Sequence, residues 1–331
     1  SAVWVIVTHS STLPGAAFID SLGQGLIAST HVLAGLPGAE WFVAAPTIPM
    51  MLLFYVLGWA LLAGWPAHAA PLLRRSMASG LACILLWWLW SPRPFGGEEM
   101  VRVTFLDVGQ GDSAVIELPD GTVTLIDGGA TYERFDMGRS VVAPFLWNRG
   151  IRRIDHVIGT HPQLDHVGGL VRRKLEATVA TEGRLIFEGP ACRMVVLNPQ
   201  PRPESSISAK SESLNNLSVV TELVCREQRV LFTGDIEREA LTRLTHSGNS
   251  AHIALLKVPH HGAKSSLERR WLETIRPAVG VVSAGRRNPY GHPAGEVLAA
   301  YQAVETQVWR TDRDGAIWAD LDLTRQELSM H

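Results

Sequence analysis

The stretch Gly159-Thr-His-Pro-Gln-Leu-Asp-His-Val-Gly-Gly169 decides the fold assignment. It follows a predicted strand over 154–158 and carries His161, Asp165 and His166 within six residues, just before a Gly-Gly turn. Imidazole and carboxylate donors this close together on a short, bent loop are what a divalent metal site requires. Because the motif alone is also compatible with ordinary surface histidines, the rest of the sequence has to decide.

Three further segments repeat the pattern of an apolar strand that ends at a potential metal ligand. They are Thr122-Val-Thr-Leu-Ile-Asp-Gly-Gly129, Leu231-Phe-Thr-Gly-Asp235 and Leu256-Lys-Val-Pro-His-His-Gly262. Such strand ends meet at one edge of a layered sheet domain, so we expect ligands that are distant in sequence to converge there. The sequence therefore predicts a metal site at the edge of a sheet sandwich.

The charged residues are distributed very unevenly along the chain. The 331 residues carry a net charge of −2 and are 46% hydrophobic. Residues 1–100 hold only seven of the 62 charged side chains, whereas residues 101–331 have the balanced charge of an ordinary soluble domain. We predict a membrane-associated unit over 1–97 and a soluble unit over 98–331. No basic excess indicates a nucleic-acid partner from charge alone.

The first unit contains an amphipathic pattern over about 16–36 and two uncharged apolar stretches, 49–65 and 76–90, which flanking residues extend to predicted transmembrane helices over about 46–66 and 72–91. A helical hairpin buried in protein is the alternative. Arg74 and Arg75 are expected in the loop between these helices, which the positive-inside rule assigns to the cytoplasm, leaving the soluble unit on the extracytoplasmic side. The sequence starts at Ser1 without an initiator Met, so we expect further membrane helices before it.

The second unit alternates predicted strands and helices in two halves, which indicates an α/β fold of αββα type. Strands are expected at 101–107, 113–118, 122–127, 154–158, 217–225, 229–234, 253–258 and 279–284, helices at 138–149 and 294–304, and a terminal hairpin at 307–321. Cys192 and Cys225 fall in predicted strands. They either pair in an exported domain or remain buried free thiols.

Taken together, these motifs resemble the metallo-β-lactamase fold superfamily and, more specifically, the ComEC family of competence DNA-uptake proteins. The finer resemblance adds Phe105-Leu-Asp-Val-Gly-Gln-Gly-Asp-Ser113 and Ser283-Ala-Gly-Arg-Arg-Asn-Pro-Tyr-Gly-His-Pro293. Leu33-Ala-Gly-Leu-Pro-Gly-Ala-Glu-Trp41 resembles the end of that family's membrane competence domain.

The resemblance implies a metallo-β-lactamase sandwich preceded by an α-helical membrane segment, in a multi-pass protein of the bacterial inner membrane. It implies that the membrane part passes single-stranded DNA into the cytoplasm. Other components of a DNA-uptake complex are expected as its partners. The soluble domain is then expected to be a metal-dependent nuclease that degrades the non-transported strand. The sequence does not specify an oligomeric state.

The same resemblance assigns the site residues. One or two Zn²⁺ or Mn²⁺ ions are expected on the ligands His161, Asp165, His166, Asp235 and His261. Asp127 is expected to support these ligands from behind, and His260, Gln163 and Asn215 are alternative ligands or neighbours. Asp165 is also expected to orient the attacking water, and His292 either contacts the scissile phosphate or is a structural loop histidine. Substrate contacts are expected from Asn288, Tyr290 and Lys264.

Gln163 departs from the pattern, since an amide stands where the superfamily usually has His or Asp. It weakens a first metal position built on His161 and a bridging Asp235, while Asp165, His166 and His261 keep the second position intact. A single-metal site is therefore an alternative, as is an inactive module that binds DNA or gates a channel. Hydrolysis of a small phosphodiester or ester is a third alternative.

Two groups of residues have both a functional and a local interpretation. A turn that bonds its own backbone or an edge of the cleft accounts equally well for Asp107, Gln110 and Asp112. Contacts to a DNA backbone or plain solvated charge account for Lys257, Lys264, Arg286 and Arg287.

Overall fold

A computed structural model of the chain describes residues 16–36, 46, 48–62, 71–90, 99–132, 135–170, 178–201, 214–246 and 252–331. Three helices precede the strands: α1 (Ala16–Ala34), α2 (Ile48–Leu62) and α3 (Pro71–Trp90). Helix α1 agrees with the predicted amphipathic segment, and none of its residues is buried. Within the described ranges, each helix is either too short or not apolar enough to span a bilayer. The predicted spans at about 46–66 and 72–91 are therefore not confirmed, and of their residues 47, 63–66 and 91 lie outside the described residues.

The expectation that Arg74 and Arg75 lie in an interhelical loop is wrong, because helix α3 begins at Pro71 and includes both. Proline is tolerated at the first helical position, where its missing N–H has no intrahelical partner to lose. The predicted bounds of about 72–91 already include both arginines, so the error lies in assigning these residues to the loop.

Two sheets form the rest of the fold. The first has six strands in the order β13-β12-β1-β2-β3-β4, and the second has seven in the order β11-β10-β9-β8-β7-β6-β5. The strands are β1 (Met100–Phe105), β2 (Ala114–Glu117), β3 (Val123–Ile126), β4 (His156–Ile158), β5 (Leu185–Glu188), β6 (Cys192–Asn198), β7 (Val220–Cys225), β8 (Gln228–Phe232), β9 (Leu255–Lys257), β10 (Val279–Val282), β11 (Gln307–Arg310), β12 (Ile317–Asp322) and β13 (Glu327–Met330).

Helices cover the outer face of each sheet. A π-helical turn over Gly138–Val142 continues into α4 (Ala143–Asn148), and its Val142 and Leu146 pack on Val115 and Leu125 of the six-stranded sheet. The helices of the opposite outer layer are α6 (Arg238–His246), α7 (Arg269–Ile275) and α8 (Gly295–Ala303). They pack on the seven-stranded sheet through residues such as Leu241, Trp271 and Tyr301. The predicted αββα layering is confirmed.

The core between the two sheets is a continuous apolar layer. Phe105 of β1 and Phe232 of β8 are both almost completely buried, and their ring centroids lie 6.1 Å apart. Burying an aromatic side chain of this size contributes roughly 1.5–3 kcal/mol. Because β1 and β8 belong to different sheets, this contact fixes one sheet against the other close to the strand ends that carry the polar motifs.

The predicted terminal hairpin over 307–321 is wrong. Strand β11 is parallel to β10 in the seven-stranded sheet, whereas β12 pairs with β1 in the other sheet. The short helix α9 (Thr311–Asp314) and Gly315, with a φ of 75°, redirect the chain between them. The true hairpin joins β12 to β13. Local alternation predicts a strand, but it does not specify which sheet the strand joins.

Cys192 and Cys225 are directly opposite each other in the antiparallel pair β6 and β7, and they form a disulfide inside the core. Of the two sequence-based interpretations, the structure selects the paired one. Disulfides of this kind persist in oxidising compartments outside the cytoplasm.

Replacing both Cys192 and Cys225 with Ala is expected to lower the free energy of unfolding of the domain. The bond joins residues 33 positions apart, and the unfolded-chain entropy model gives about 3–4 kcal/mol for a loop of that size. Urea denaturation of the oxidised protein measures the change. The exposed free Cys83 provides the matched control, since Cys83→Ala leaves the disulfide intact. Equal stability of the double variant and the unchanged chain would contradict the prediction.

Candidate metal centre

The polar motifs meet at one edge of the two sheets. Strand β3 is parallel to β4, and β8 is parallel to β9, so within each pair the carboxyl ends point in the same direction. Asp127 follows β3, His161 follows β4, Asp235 follows β8 and His261 follows β9. The predicted convergence of the four motif segments is confirmed in its geometry.

A compact group of four donors lies at this edge: Asp165, His166, Asp235 and His261, whose candidate ligand atoms all lie within 4.8 Å of one another. Oδ2 of Asp235 is 3.3 Å from Nε2 of His166 and 3.4 Å from Nε2 of His261. Oδ2 of Asp165 is 4.0 Å and 3.8 Å from the same two nitrogens. Asp165 and His166 lie on the short helix α5 (Leu164–Val167). This helix is part of the stretch 159–169, which we call the metal-motif loop.

The inward atoms of this group have no hydrogen-bond partner. Among the described residues, the buried Nε2 atoms of His161, His166 and His261 and Oδ1 of Asp235 are all unsatisfied. Leaving such atoms unpaired costs about 1–3 kcal/mol each, so a folded protein rarely does so without a ligand. Two imidazoles and two carboxylates suit Zn²⁺ or Mn²⁺ chemically. The residues fit a divalent metal ion, and the fold and the group together support divalent metal use.

The outer hydrogen bonds fix how two of these imidazoles face the group. Asp127 accepts hydrogen bonds from the Thr160 backbone N–H at 2.8 Å and hydroxyl at 2.7 Å, and its Oδ2 lies 2.8 Å from Nδ1 of His166. Nδ1 of His261 lies 2.9 Å from the carbonyl oxygen of Ser283. Both pairings assign the proton to Nδ1, which leaves Nε2 as the acceptor that a metal needs. Asp127 thus lies where the sequence expected it, behind His166.

The backbone around the group is held in an uncommon conformation. Asp127, His260 and His261 have φ values of 58°, 48° and 54°, and Gly262 has 77°. A non-glycine residue in this region costs on the order of 1–3 kcal/mol, which surrounding structure must compensate. A Cβ at Gly262 would lie 2.6 Å from Cβ of Pro293, so only glycine fits there. This backbone conformation directs the His261 side chain toward the group.

A buried ion pair that the sequence did not predict lies behind the metal group. Nζ of Lys257 is 2.7 Å from Oδ2 of Asp112 and donates to the carbonyl oxygen of Val258 at 3.0 Å. Oδ1 of Asp112 is 3.4 Å from Nδ1 of His261. Both interpretations of Lys257, a DNA contact and a solvated surface charge, are wrong, because its side chain is buried and paired. The signal in the sequence is the placement of this lysine in an otherwise apolar strand, where a charge needs a buried partner.

Asp107 and Gln110, grouped with Asp112 in the sequence analysis, have different surroundings. Asp107 accepts a hydrogen bond from the backbone N–H of Gly109, as the local interpretation expects. Gln110 accepts one from the backbone N–H of Gly285 at 3.3 Å, which connects this turn to the loop over 285–292.

Burial and charge act against each other in the pKa values of the group. Burial favours the neutral imidazoles of His166 and His261, but the neighbouring carboxylates, Asp235 foremost, outweigh it and hold both pKa values well above the ordinary value. Burial likewise favours a neutral Asp235, yet the two imidazoles hold its pKa well below the ordinary value. For His161, burial and then the nearby His166 lower the pKa. The carboxylates therefore attract positive charge to the centre of the group.

Gln163 does not join the group of four donors. Its Nε2 donates to Oδ1 of Asn215 at 2.9 Å, and Nδ2 of Asn215 lies 3.4 Å from Oε1 of Glu237. His161 also lies outside the group of four, with its Nε2 4.0 Å from Oδ2 of Asp235. The donors that remain for the first metal position, which Gln163 weakens, are therefore His161 and Asp235.

His260 lies at the outer edge of the group. Its Nε2 is 3.7 Å from Oδ2 of Asp235, and its Nδ1 is 3.3 Å from Oε1 of Glu237. The ring is partly exposed, whereas the His261 ring is buried. The structure therefore places His261 inside the compact group and His260 beside it.

The loop over 285–292 forms one wall above the group. The His292 ring lies 5.7 Å from the His260 ring and 6.3 Å from the His261 ring, centroid to centroid. Asn288 donates to the carbonyl oxygens of Gly285 and His292 and accepts from the His292 N–H. Both amide hydrogens of Asn288 are therefore used within the loop, which suits a shaping role and leaves no donor for a substrate.

The two other predicted substrate contacts lie at the surface. Tyr290 is exposed, and its ring stacks on His292 at 5.7 Å. Lys264 is exposed, and its ammonium lies 3.0 Å from Oε1 of Glu296 at the start of α8. The sequence-based role of Lys264 remains a prediction, because the pairing with Glu296 neither requires nor prevents it.

Comparison with known proteins agrees with this geometry. The sequence pattern of the metallo-beta-lactamase superfamily matches residues 106–181. The chain is 29% identical to ComE operon protein 3 of Bacillus subtilis over 73% of this chain and 35% of that protein. The likeness to the ComEC family is confirmed. Competence protein ComA of Neisseria gonorrhoeae is 26% identical over 84% of this chain and 39% of that protein, and Recombination protein 2 of Haemophilus influenzae is 26% identical over 69% and 30%.

The chain spans roughly a third of the length of these curated relatives. The superfamily match covers β2, β3 and β4 of the six-stranded sheet and the metal-motif loop with Asp165 and His166. The candidate ligands Asp235 and His261 lie beyond it. Their assignment comes from the geometry of the group.

The metal-free protein is expected to lose stability as the pH rises. His166 and His261 have raised pKa values, so the stability from their protonated rings is present below about 6.5 and is lost as the pH rises through the raised values. Asp235 has a lowered pKa, so its contribution is present above its ordinary value and is lost only as the pH falls through the lowered one. Metal binding displaces the ring protons, so the stabilisation of the fold by Mn²⁺ or Zn²⁺ should increase over the same range of pH.

Thermal denaturation of the chelated protein between about pH 6 and pH 9, with and without added metal, measures both effects. The double variant His166→Gln/His261→Gln should show a flatter profile. The exposed His252 supplies the control, because His252→Gln should retain the profile of the unchanged chain. A metal-free melting temperature that stays constant over this range would contradict the charge assignment.

Proposed function

We propose that this chain is part of a DNA-uptake membrane protein whose sandwich domain is a metal-dependent nuclease that degrades the non-transported strand. The competence relatives support a role in DNA uptake, and the metallo-β-lactamase fold supports hydrolysis. The observation that carries the proposal is the four-donor group of Asp165, His166, Asp235 and His261, with its inward nitrogens buried and unpaired. Its partners would be DNA, membrane lipid and other uptake components.

In this proposal Asp165, His166, Asp235 and His261 hold the cation. A divalent metal supplies Lewis acidity and lowers the pKa of a coordinated water toward about 7. Asp165 is the most exposed of the four donors, so its carboxylate is accessible from solvent. Burial raises its pKa, but the nearby imidazoles of His261 and His166 outweigh this and lower it. Asp165 is therefore ionised at neutral pH and suited to accept a proton from the attacking water.

His292 has the properties of a phosphate contact. Its ring is partly buried, and its Nδ1 has no hydrogen-bond partner among the described residues. Burial, followed by the nearby His261 and His260, lowers its pKa, so the ring is neutral at neutral pH. A neutral imidazole can donate one hydrogen bond to a phosphate oxygen without adding charge beside the metal.

We propose one tightly bound metal ion, either Mn²⁺ or Zn²⁺. The group of four provides a complete set of ligands. A second position would depend on His161 and a shared Asp235, because the Gln163 side chain is hydrogen-bonded to Asn215. The same feature favours the second candidate function, a domain that binds DNA without hydrolysing it.

We propose that the sandwich domain lies on the extracytoplasmic side of the bacterial inner membrane. The disulfide between Cys192 and Cys225 supports this, since it is of a kind that the reducing cytoplasm disfavours. The two arginines near the start of α3 support a cytoplasmic location for that end of the helix.

Replacing His166 or Asp235 with Ala should abolish metal-dependent DNA cleavage. The expected loss is at least about 100-fold, because even outer partners of metal ligands contribute about 10–100-fold. The assay follows a labelled oligonucleotide with Mn²⁺ or Zn²⁺ and the purified chain, and His252→Ala serves as the matched control. Unchanged cleavage in both site variants would reject the nuclease mechanism. Retained DNA binding without cleavage in the unchanged chain would favour the binding module.

A further inference from the structure

A row of aromatic rings leads from the metal group to the surface. The rings of His261 and His292 lie 6.3 Å apart at an interplanar angle of 24°, and those of His292 and Tyr290 lie 5.7 Å apart at 26°. Tyr290, at the outer end, is 67% exposed. A flat ring at the end of such a row presents a face on which another planar group can stack.

A second pair of exposed rings, those of Tyr132 and Phe135, belongs to the segment that follows β3 of the six-stranded sheet. The backbone N–H of Tyr132 donates to the carbonyl oxygen of Phe135 at 2.6 Å, and the backbone N–H of Phe135 donates to the carbonyl oxygen of Tyr132 at 3.2 Å. Thr131 and Asp136 form a β-bridge next to these hydrogen bonds. These backbone contacts hold two large aromatic side chains in solvent, with Tyr132 58% and Phe135 63% exposed.

Tyr132 lies beside the loop that carries the metal donors. A Cβ built at Gly168, two residues after His166, would lie 2.5 Å from the backbone nitrogen of Thr131, which immediately precedes Tyr132. In agreement with this position, burial raises the pKa of the Tyr132 phenol, and the carboxylate of Asp165 and the phenol of Tyr290 raise it further. Two segments that are distant in sequence thus bring exposed tyrosines to the surroundings of the metal group, one next to Gly168 and the other through His292.

The loop that carries Tyr290 also carries positive charge. Arg286 and Arg287 are exposed, and neither guanidinium forms an ion pair with any of the described residues. Arginines beside exposed aromatic rings are the combination that binds single-stranded nucleic acid, in which the cations contact phosphates and the rings stack on bases. In a duplex, the base faces are already stacked and are unavailable to such rings.

We propose that Tyr290 and Tyr132 form a base-stacking rim that makes the site selective for single-stranded nucleic acid, with Arg286 and Arg287 on the phosphates. This inference rests on the proposed nuclease function and specifies the form of its substrate. An unpaired strand would enter with one base stacked on each tyrosine. The phosphate between these two bases would then lie next to the solvent-exposed side of Asp165. A paired end would have to separate before it could be cleaved.

The test measures binding without cleavage. A labelled single-stranded thymidine oligonucleotide, an abasic oligonucleotide of equal length and a duplex are titrated against the full chain in chelator, with fluorescence anisotropy as the readout. Tyr290→Ala and Tyr132→Ala should each weaken single-strand binding about tenfold, which is within the range for one base–aromatic stack. Tyr290→Phe and Tyr132→Phe keep the ring and should bind nearly as the unchanged chain does.

Tyr55→Ala is the matched control, since Tyr55 is 69% exposed but belongs to α2, outside the sandwich. The abasic oligonucleotide should bind weakly and should not distinguish the alanine variants. The inference is overturned if both alanine variants bind the thymidine strand normally, if they lose equal affinity for the abasic strand, or if the duplex binds as tightly as the single strand.

The two proposals fail in different ways. Single-strand binding that depends on the tyrosines, without cleavage when metal is added, would refute the nuclease and retain the rim. Metal-dependent cleavage with tyrosine-independent binding would refute the rim and retain the nuclease.

Discussion

One oxygen atom, Oδ2 of Asp235, is surrounded by imidazole nitrogens. It lies 3.3 Å from His166, 3.4 Å from His261, 3.7 Å from His260 and 4.0 Å from His161. A buried carboxylate in an apolar protein interior is costly unless positive charge is close. The imidazoles supply that charge only when they are protonated, so a divalent cation is the other way to satisfy the same oxygen. The polar architecture of this edge of the protein follows from that requirement.

The fold provides the position of each donor, and the outer contacts provide its direction. Parallel pairing of β3 with β4 and of β8 with β9 aligns the carboxyl ends of the strands within each pair. The packing of Phe105 on Phe232 then fixes the sheets against each other. Asp127 orients His166 from one side, and the Ser283 carbonyl orients His261 from the other.

Asp112 and Lys257 add a fixed charge pair behind these ligands. Burial disfavours the charged form of Asp112, but Lys257 and the imidazole of His261 outweigh it and hold the pKa of Asp112 well below its ordinary value. The carboxylate thus stays ionised beside Nδ1 of His261. The inner ligand atoms then face a rim in which Tyr132 and Tyr290 are exposed, so the site combines a dry interior with an aromatic entrance.

Much of the site was predictable because its information is local. The metal-motif loop, Asp127, Asp235 and the His-His-Gly turn each lie at the end of an apolar strand, and such strands meet at one edge. The preference for His261 over His260 came from the resemblance, in which the ligand directly precedes the glycine, and the structure places His261 within the compact group.

Other features depend on contacts between distant segments, which strand patterns do not encode. The pairing of Lys257 with Asp112 and the hydrogen bond that turns Gln163 to Asn215 are set by the packing of one sheet on the other, and the partner of β11 is set by pairing within its own sheet. The position of Tyr132 and Tyr290 around the metal group is of the same kind, because no motif connects residues 158 positions apart.

Diffraction from crystals grown with Mn²⁺, recorded on both sides of the manganese absorption edge, tests the central claim most directly. We predict an anomalous peak bounded by Asp165, His166, Asp235 and His261. A peak elsewhere, or side chains of these four residues directed into separate regions, would contradict it.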